Sequence, residues 1–337
     1  MSASPSVSVA GAGVFGLATA LCLAEAGCAV VVWDDGAESA SQVAAGMLAP
    51  VFEAVLDAVA RPHFDLLRAA RDLWPDLAAG AGVDLDRTGA VAVGDATWLA
   101  TVGAQLARLG VSAGEVGAAG LAAVSPGLSP TLGDGLMVTE DWRLDPLSAL
   151  ADLRAAALAR GVVFRDQRLA AAPPGSMLVV ATGAAMDLAP ELARLSPIKG
   201  HLARVGGPAA GVVVRGEAGY AAPGARGMVF GATMEPGVGD STVVPSRAQP
   251  VLDHGLALFP ALRDQTVTFA AGIRAATPDG LPMAGRSCQP DTFLAVGARR
   301  NGWLLAPLVA RIVTACVTGR DPGPYAARMD PARFGDC

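Results

Sequence analysis

The sequence predicts an α/β protein in which a Rossmann-like domain is interleaved with a domain built on an antiparallel sheet. Three observations support this prediction. The chain opens with a strand, a glycine-rich turn and an apolar helix that leads into a second strand. A strand followed by a long apolar helix returns near the C-terminus. Between these pieces, residues 204–235 combine valine-rich runs with glycine-rich turns, a pattern typical of antiparallel strands.

The opening segment is typical of a dinucleotide-binding strand–turn–helix unit. The pattern Gly11-x-Gly13-x-x-Gly16 directly follows the first strand. One of these glycines makes the turn, one allows the backbone to approach a pyrophosphate, and one lets the helix pack on the strand. Asp34 ends the second strand, where a carboxylate can bind the ribose of an adenosine. Two alternatives stay open: an ordinary turn with incidental glycines, and binding of NAD rather than FAD.

The later elements follow from periodicity and from residues that begin or end helices. Residues 145–161 predict a helix, because Asp145 can cap it, Pro146 suits its first turn and Gly161 suits its end. Other segments predict a strand pair at 86–95, helices at 97–110, 251–262 and 302–318, and strands at 162–169, 177–184, 266–274 and 292–298.

The composition argues against several classes of function. The formal net charge of the 337 residues is −6, whereas nucleic-acid binding needs a basic surface. His63, His201 and His254 lie far apart without the spacing of metal ligands, so we expect no metal site. The five cysteines form no CxxC pair, and Cys22 and Cys28 are expected to be buried thiols.

The first 24 residues contain no charged side chain, which is also typical of a signal peptide or a membrane segment. No basic stretch precedes the apolar part, however, and the glycine pattern interrupts it. We therefore expect a cytoplasmic protein without a membrane span. A homo-oligomer is left open, as is the role of Lys199, the only lysine in the chain.

Eight segments spread over residues 9–307 occur in one order along the chain. They read "VAGAGVFGLATALCLAEAG", "AAGMLAP", "RLDP", "VVATGA", "SPIKGH", "YAAPGARGMVFGATMEPG", "AGIRAATPDGLPMAG" and "RRNGWLLAP". Together they resemble the FAD-dependent oxidoreductases of the D-amino acid oxidase superfamily, and most of all the bacterial glycine oxidases of thiamine biosynthesis. The resemblance favours FAD over NAD, since nicotinamide enzymes have no reason to carry the last two segments.

The resemblance implies a Rossmann-like FAD-binding domain of the glutathione-reductase type. We assign residues 1–80, 141–195 and 268–337 to it, and residues 81–140 and 196–267 to a substrate-binding domain. FAD should be bound non-covalently, because Cys288 does not lie in the motif that tethers flavin in sarcosine oxidases. The positions that match FAD contacts of the family are Gly11, Ala12, Gly13, Val14, Phe15, Gly16, Asp34, Asp35, Ala45, Gly46, Met47, Leu48, Leu169, Thr182, Gly183, Arg300, Asn301, Gly302, Trp303 and Leu304.

In such flavoproteins the C-terminal helix points its N-terminus at the pyrimidine end of the flavin. Its dipole and free N–H groups, here those of Arg300, Asn301 and Gly302, would stabilise the negative charge of the reduced ring. The alternative is an asparagine N-cap on an ordinary core helix with surface arginines.

The resemblance also implies the substrate-binding residues. Arg274 corresponds to the arginine that binds the substrate carboxylate through both arms of its guanidinium. Tyr220 corresponds to a tyrosine whose hydroxyl helps to hold that carboxylate, and Arg300 to a further substrate-side contact. A surface arginine at a strand end and a half-buried tyrosine of the sheet are the alternatives.

The chain departs from the family pattern near the flavin. Ala298 and Arg299 stand where the family often has an aromatic residue, sometimes with histidine. Trp303 replaces a smaller aliphatic residue, and Gly224 replaces an arginine that usually follows the proline of the tyrosine strand. These changes affect the size and polarity of the pocket and the access of oxygen, and they leave the role of Arg299 open.

The implied reaction is the oxidative deamination of a small amino acid or amine, such as glycine, sarcosine or a small D-amino acid. Its products are a keto acid, ammonia and, with molecular oxygen as acceptor, hydrogen peroxide. Two alternatives stay open. One is a dehydrogenase that passes electrons to a quinone or carrier, and the other is a flavin-binding fold retained as an assembly or regulatory module.

Overall fold

The computed structural model describes residues 5–335, so the ends of the first and last predicted segments, 1–4 and 336–337, lie outside the described residues. A six-stranded sheet consists of β1 (Ser6–Ala10), β2 (Ala29–Trp33), β8 (Val163–Arg165), β9 (Met177–Val180), β16 (Met283–Arg286) and β17 (Thr292–Val296). The strand order is β16-β17-β9-β1-β2-β8. β16 runs antiparallel to β17, whereas the other neighbours are parallel.

Apolar side chains on both faces place this sheet in the core. Leu178 and Val180 of β9 are buried on one face, together with apolar residues of the segment 188–195. Val7 and Val9 of β1 are fully buried on the other face, which helices cover. The main ones are α1 (Val14–Glu25), α8 (Pro146–Ala159) and α10 (Gly302–Thr318), and α1 packs against the other two. The predicted cap of α8 is present, since the Asp145 carboxylate accepts the Ser148 N–H at 3.0 Å.

A second, nine-stranded sheet carries the other wall of the site. Its strands are β4 (Ala90–Val93), β5 (Gly114–Gly117), β6 (Asp134–Val138), β10 (Ser196–Val205), β11 (Val213–Gly216), β12 (Gly219–Gly224), β13 (Gly227–Gly231), β14 (Glu235–Pro236) and β15 (Val267–Ala276). They follow the order β14-β10-β13-β12-β11-β4-β6-β5, and β15 pairs with β10 along its whole length. Helix α9 (Pro245–Leu258) packs on this sheet.

Short elements connect the two sheets. Strands β3 (Met47–Leu48) and β7 (Trp142–Arg143) form an antiparallel pair beside the six-stranded sheet. The helices that complete the described chain are α2 (Ala40–Val43), α3 (Pro50–Leu56), α4 (Phe64–Asp72), α5 (Trp74–Ala81), α6 (Ala96–Arg108), α7 (Ala118–Val124) and α11 (Ala326–Met329).

The structure differs from the expected elements most clearly at β4 and β15. The helix expected at 251–262 is also displaced, since α9 spans Pro245–Leu258, and the strand expected at 162–169 is shorter, since β8 spans Val163–Arg165. The strand pair expected at 86–95 is wrong: one strand, β4, forms there, and it is parallel to β11 within an otherwise antiparallel sheet. All four residues of β4 are buried, because it lies inside the sheet rather than in a hairpin. β15 also pairs in the nine-stranded sheet, although our range 268–337 placed most of it in the FAD-binding domain. The domain division otherwise stays a prediction.

The described residues lack both a membrane-spanning helix and a cluster of metal-binding side chains. Within residues 5–335, no helix is long and apolar enough to cross a membrane. The same residues contain no cluster of three or more histidine, cysteine, aspartate or glutamate side chains that could hold a metal ion.

Candidate active site

A cavity of about 410 Å³ lies at the carboxyl ends of the parallel strands. The turns after β1, β2, β9 and β17 line it, together with part of β15 from the other sheet: residues 10–15, 33–35, 181–185, 295–300 and 271–275. Ligands of open parallel sheets bind in this position, because the loops that carry function meet there. The cavity therefore joins the dinucleotide motif to the strand that contains the predicted substrate arginine.

The glycine turn has the geometry of a dinucleotide cradle. Gly11 adopts a left-handed φ of 103°, and its N–H donates to the Trp33 carbonyl at 2.8 Å. A Cβ on Gly16 would overlap the Gly11 carbonyl oxygen, so helix α1 can pack this close to the turn only with glycine there. The Ala12 N–H donates to Asp34 Oδ1 at 3.3 Å, which fixes the carboxylate beside the turn.

Thirteen of the predicted cofactor positions lie on the cavity wall: Gly11, Ala12, Gly13, Val14, Phe15, Asp34, Asp35, Leu169, Thr182, Gly183, Arg300, Gly302 and Trp303. The wall does not include Gly16, Ala45, Gly46, Met47, Leu48, Asn301 or Leu304. Met47 and Leu48 instead form β3, and a Cβ on Gly46 would overlap the Leu144 carbonyl oxygen. Contact between any of these residues and the cofactor stays a prediction.

Helix α10 begins at the cavity with its positive end. Gly302 and Trp303 line the wall, and no acidic residue occupies the first turn to offset the helix dipole. The Trp303 ring is fixed by its Nε1–H, which donates to the Ser41 carbonyl at 3.1 Å. The backbone carbonyl of Trp303 accepts the Trp74 Nε1–H at 2.9 Å. The large side chain at position 303 is thus held in a single orientation beside the cavity.

Arg274 projects from β15 against the opposite strand. Its Nη1 donates to the Thr233 carbonyl at 3.3 Å and approaches Met234 Sδ at 3.4 Å. A Cβ on Gly200 of β10 would overlap the guanidinium, so glycine at that position makes room for it. Within residues 5–335 no carboxylate lies within ion-pair distance of this half-buried guanidinium. Burial lowers the pKa of Arg274, with Arg300 also contributing, so an anion would stabilise its charge.

A polar network fixes the segment that contacts Arg274. The Thr233 hydroxyl accepts the His201 N–H at 2.8 Å and donates to Glu235 Oε1 at 2.8 Å. His201 is fully buried, its Nε2 accepts the Val244 N–H at 3.0 Å, and its Nδ1 lies 2.7 Å from Glu235. Because Nε2 accepts a hydrogen bond, the proton of the neutral ring must be on Nδ1. The imidazole therefore ties Thr233 and Glu235 to the start of α9.

Behind the cavity, two acidic residues hold three arginines. Glu53 Oε1 lies 3.0 Å from Arg215 and 3.2 Å from Arg300. Asp57 Oδ2 pairs with Arg299 and also lies 3.5 Å from Arg300. Burial would raise the pKa of Glu53, but Arg300 and Arg215 outweigh it and hold the pKa below its usual value. Both carboxylates are thus charged at neutral pH, although each is almost completely buried.

Tyr220 lies near this network rather than on the cavity wall. It is buried on β12, and its hydroxyl lies so close to Gly231 that a Cβ there would overlap it. Burial raises the pKa of the phenol, while Arg274 and Arg215 act in the opposite direction. The hydroxyl therefore stays protonated at neutral pH and can act as a hydrogen-bond donor.

Several residues of the site were not among those predicted. Glu53 and Asp57 are four residues apart in the apolar segment "PVFEAVLDAVA", so they lie on one face of the chain as it turns through α3. Two acidic residues in an apolar segment indicate buried ion pairs, because acidic side chains are almost never fully buried without a partner. Arg215, Thr233 and Gly200 carry no comparable signal, because their roles depend on strands far away in the sequence.

The chain matches the family described as "DAO: FAD dependent oxidoreductase" over residues 6–316. The bifunctional protein ThiO/ThiG of Trichormus variabilis is 29% identical over 97% of this chain and 54% of that protein. The tRNA 5-methylaminomethyl-2-thiouridine biosynthesis bifunctional protein MnmC of a Caulobacter species is 30% identical over 97% of this chain and 57% of that protein. The chain thus spans about half the length of the curated relatives it matches.

Solved structures share the fold. Glycine oxidase of Geobacillus kaustophilus superposes with a TM-score of 0.83 at 24% identity and covers 97% of this chain and 98% of its own. Iminodiacetate oxidase of a Chelativorans species superposes with a TM-score of 0.82 at 22% identity, over 96% of this chain and 98% of its own. At these identities the likeness establishes the fold alone, and it confirms the predicted fold class.

The family match includes the cradle, the β15 strand and most of helix α10. FAD is the cofactor of this family, which confirms the predicted cofactor. The residues present fit it, because the Gly11–Gly16 approach leaves a cradle and a helix start faces the same cavity. No cysteine within residues 5–335 lines the cavity, and non-covalent binding stays a prediction. The chain belongs to the DAO family of FAD-dependent oxidoreductases.

Proposed function

We propose that the protein oxidises a small amino acid, such as glycine, sarcosine or a small D-amino acid, to an imine. Water hydrolyses the imine to a keto acid and ammonia, or an amine if the nitrogen is substituted. The observation that carries this proposal is Arg274, a half-buried guanidinium on the wall of the dinucleotide cavity. Within residues 5–335 it lacks a carboxylate partner. A planar fork of this kind suits the carboxylate of an amino acid.

The residues of the site bind and orient the substrate. Arg274 holds the substrate carboxylate, and the Thr233 carbonyl fixes the direction of the guanidinium. When bound, FAD supplies the acceptor for two electrons. The first-turn N–H groups of α10 and the Arg300 guanidinium provide positive potential at the cavity, which favours negative charge developing there. Positioning is the main contribution of the protein chain.

The site also controls the protonation of the substrate amine. At the substrate end, the wall formed by residues 271–275 and 297–300 contains no histidine, aspartate or glutamate. Arg274, Arg299 and Arg300 surround this end and disfavour a positive charge on the substrate amine. The amine therefore binds neutral, after giving its proton to solvent, and no side chain of this wall acts as a general base.

A spectroscopic experiment tests the proposal. The purified flavoprotein is mixed without oxygen with glycine, sarcosine, D-alanine or D-proline, and the visible absorbance of the flavin is followed. At least one of these amino acids should bleach it. Arg274→Ala should lower kcat/KM roughly 30- to several-thousand-fold, because the substrate carboxylate loses its partner. Arg274→Lys keeps the positive charge but not the two-armed guanidinium, so its kcat/KM should lie between those of the wild type and Arg274→Ala. Full activity in Arg274→Ala would exclude this carboxylate-binding role.

The acceptor is tested with the same bleached protein. We propose molecular oxygen, so admitting air should restore the colour and form one hydrogen peroxide per substrate oxidised. Slow recovery in air with rapid recovery on adding an artificial quinone would instead identify a dehydrogenase. A protein that binds FAD but is bleached by none of the amino acids would identify a non-catalytic flavin-binding module.

A further inference from the structure

The substrate end of the cavity has more arginines than one carboxylate requires. Arg274, Arg299 and Arg300 all line the wall there. Glu53 and Asp57, the acids that pair with two of these arginines, are not on the wall and lie behind it. A ligand in the cavity therefore contacts these arginine residues, not the two acids. With Arg274 and Arg299 on one wall, a ligand with two anionic groups has an arginine available for each.

Arg299 is held next to the strand that carries Arg274. Its N–H donates to the Ala275 carbonyl at 2.7 Å, one residue after Arg274, and Ala298 forms a bridge with Ala276. Arg299 adopts a left-handed φ of 52°, which is uncommon for a residue with a side chain. The backbone thus brings the two arginines to the same end of the cavity.

The guanidinium of Arg299 keeps unused donors. Within the described residues its side-chain partner is Asp57, which accepts from Nη1. The same Asp57 oxygen also accepts from Arg300, and the second oxygen accepts the Val59 N–H at 3.0 Å. One carboxylate is thus shared between two cations. An arginine has five N–H donors, so Nε and Nη2 of Arg299 remain able to bind an anion.

We propose that Arg299 forms a second anion subsite, so that the preferred substrates are amino acids with a second carboxylate. This inference rests on the proposed function, in which Arg274 binds the first carboxylate. The second carboxylate, carried on the nitrogen or on the side chain, is received by the free donors of Arg299. A substrate with one carboxylate leaves this subsite empty. The reaction itself is unchanged: the substrate loses two electrons to FAD, and its carbon–nitrogen single bond becomes the double bond of an imine.

Binding of non-oxidisable acids tests the subsite directly. Succinate and propionate are titrated into the FAD-loaded protein at fixed ionic strength, and their Kd values are read from the flavin spectrum and from calorimetry. Succinate should bind roughly 10- to 100-fold more tightly than propionate, the value of a charge-assisted hydrogen bond. Malonate and glutarate test which separation of the two carboxylates fits best.

Variants separate a local subsite from a general effect of charge. In Arg299→Leu the ratio of propionate Kd to succinate Kd should fall to near one. In Asp57→Asn the ratio should rise, because the competing carboxylate is gone. Arg263→Leu removes one exposed positive charge elsewhere and should leave the ratio unchanged. An Arg299→Leu protein that keeps the wild-type ratio, or a wild-type protein without preference for succinate, would overturn the subsite.

Turnover distinguishes failure of the subsite from failure of the proposed function. Iminodiacetate and sarcosine differ by one carboxylate, and the subsite predicts a higher kcat/KM for iminodiacetate in the wild-type protein. If sarcosine or glycine bleaches the flavin and iminodiacetate does so no better, the subsite is wrong and the proposed function stands. If neither class bleaches it, the proposed function itself fails.

Discussion

Gly200→Ala is a small change that should displace Arg274, the arginine proposed to bind the substrate carboxylate, without unfolding the protein. Gly200 lies on β10, opposite Gly272 of β15. A Cβ there would overlap Nη1 of Arg274 and lie 2.6 Å from Cζ. Because ordinary contacts are about 3.5 Å or longer, the guanidinium must move by roughly 1 Å. It is the end of a flexible side chain, so we expect it to move while the strand stays in place.

The magnitude follows from this displacement. A misplacement of about 1 Å costs on the order of 100-fold in rate, and loss of one charge-assisted hydrogen bond costs roughly 1.5–3 kcal/mol, or about 10- to 150-fold. We therefore expect kcat/KM to fall by about 10- to 150-fold. Stability should change little, because alanine in a strand gains roughly 0.5–1 kcal/mol over glycine and offsets part of the strain.

The assay is the rate of anaerobic flavin bleaching, measured beside the Tm of each protein. Gly239→Ala is the matched control, since its Cβ would meet only Pro197 at an ordinary 3.8 Å. In an Arg274→Ala background, Gly200→Ala should have no further effect, because its target is gone. Wild-type kcat/KM in the single variant, or an additive loss in the double variant, would show that Gly200 does not act by making room for Arg274.

Three further predictions concern the cradle, the positioning network and the ion pairs. Gly16→Ala should abolish FAD retention, measured as the flavin-to-protein absorbance ratio, because the new Cβ overlaps the Gly11 carbonyl oxygen. His201→Gln, which loses the Nδ1–H donor, should raise KM roughly 3- to 10-fold by loosening Thr233, more than His201→Asn, which keeps that donor. Asp57→Asn should cost roughly 3 kcal/mol at pH 7, measured by denaturant unfolding.

The pH dependence of the last variant has a defined sign. Burial would raise the pKa of Asp57, but Arg299 and the Val59 N–H hold it below its usual value. The carboxylate therefore stabilises the fold above its unfolded pKa of about 4, and this contribution is lost as the pH falls through the lower folded value. The difference between wild type and Asp57→Asn should shrink below about pH 4. A constant difference from pH 7 to pH 3 would contradict it.

The predictions for Gly16→Ala and for the His201 variants can be contradicted as directly. A Gly16→Ala protein that retains FAD at the wild-type ratio would show that the close approach of helix and turn is dispensable. Equal KM values for His201→Gln and His201→Asn, with equal losses of Tm, would reduce the histidine to a general packing role. Gly103→Ala is a control for the Gly16 and His201 variants. Gly103 lies on α6, away from the cavity wall, and its Cβ would meet Leu136 of β6 at an ordinary 3.6 Å.

The local parts of the fold could be predicted because their signals are close together in the sequence. Glycines 2 and 3 residues apart between a strand and a helix define the cradle, and Asp145 with Pro146 defines the start of α8. Helix α10 begins at Gly302 and ends at Thr318, as its apolar run indicates. Strand β4 was misjudged, because a short apolar run does not show how many partners it has.

The arrangement of charges in the site could not be predicted in the same way. Arg300 and Glu53 are 247 residues apart, and their pairing depends on where β17 and α3 lie in the fold. The resemblance to the family implies that Arg274 binds a carboxylate, but it does not identify Gly200 as the residue that makes room for the guanidinium. Likewise, the sequence shows that Tyr220 lies on a strand, but only the packing of the sheet shows that it is not on the cavity wall.

The most direct test of the central claim compares an amino acid with the same amine lacking its carboxylate. Wild-type protein carrying FAD is mixed without oxygen with sarcosine and, separately, with dimethylamine at equal concentration. We expect sarcosine to bleach the flavin and dimethylamine to do so at least roughly 30-fold more slowly, because dimethylamine has no carboxylate for Arg274 to bind. Equal bleaching by the two compounds would contradict it.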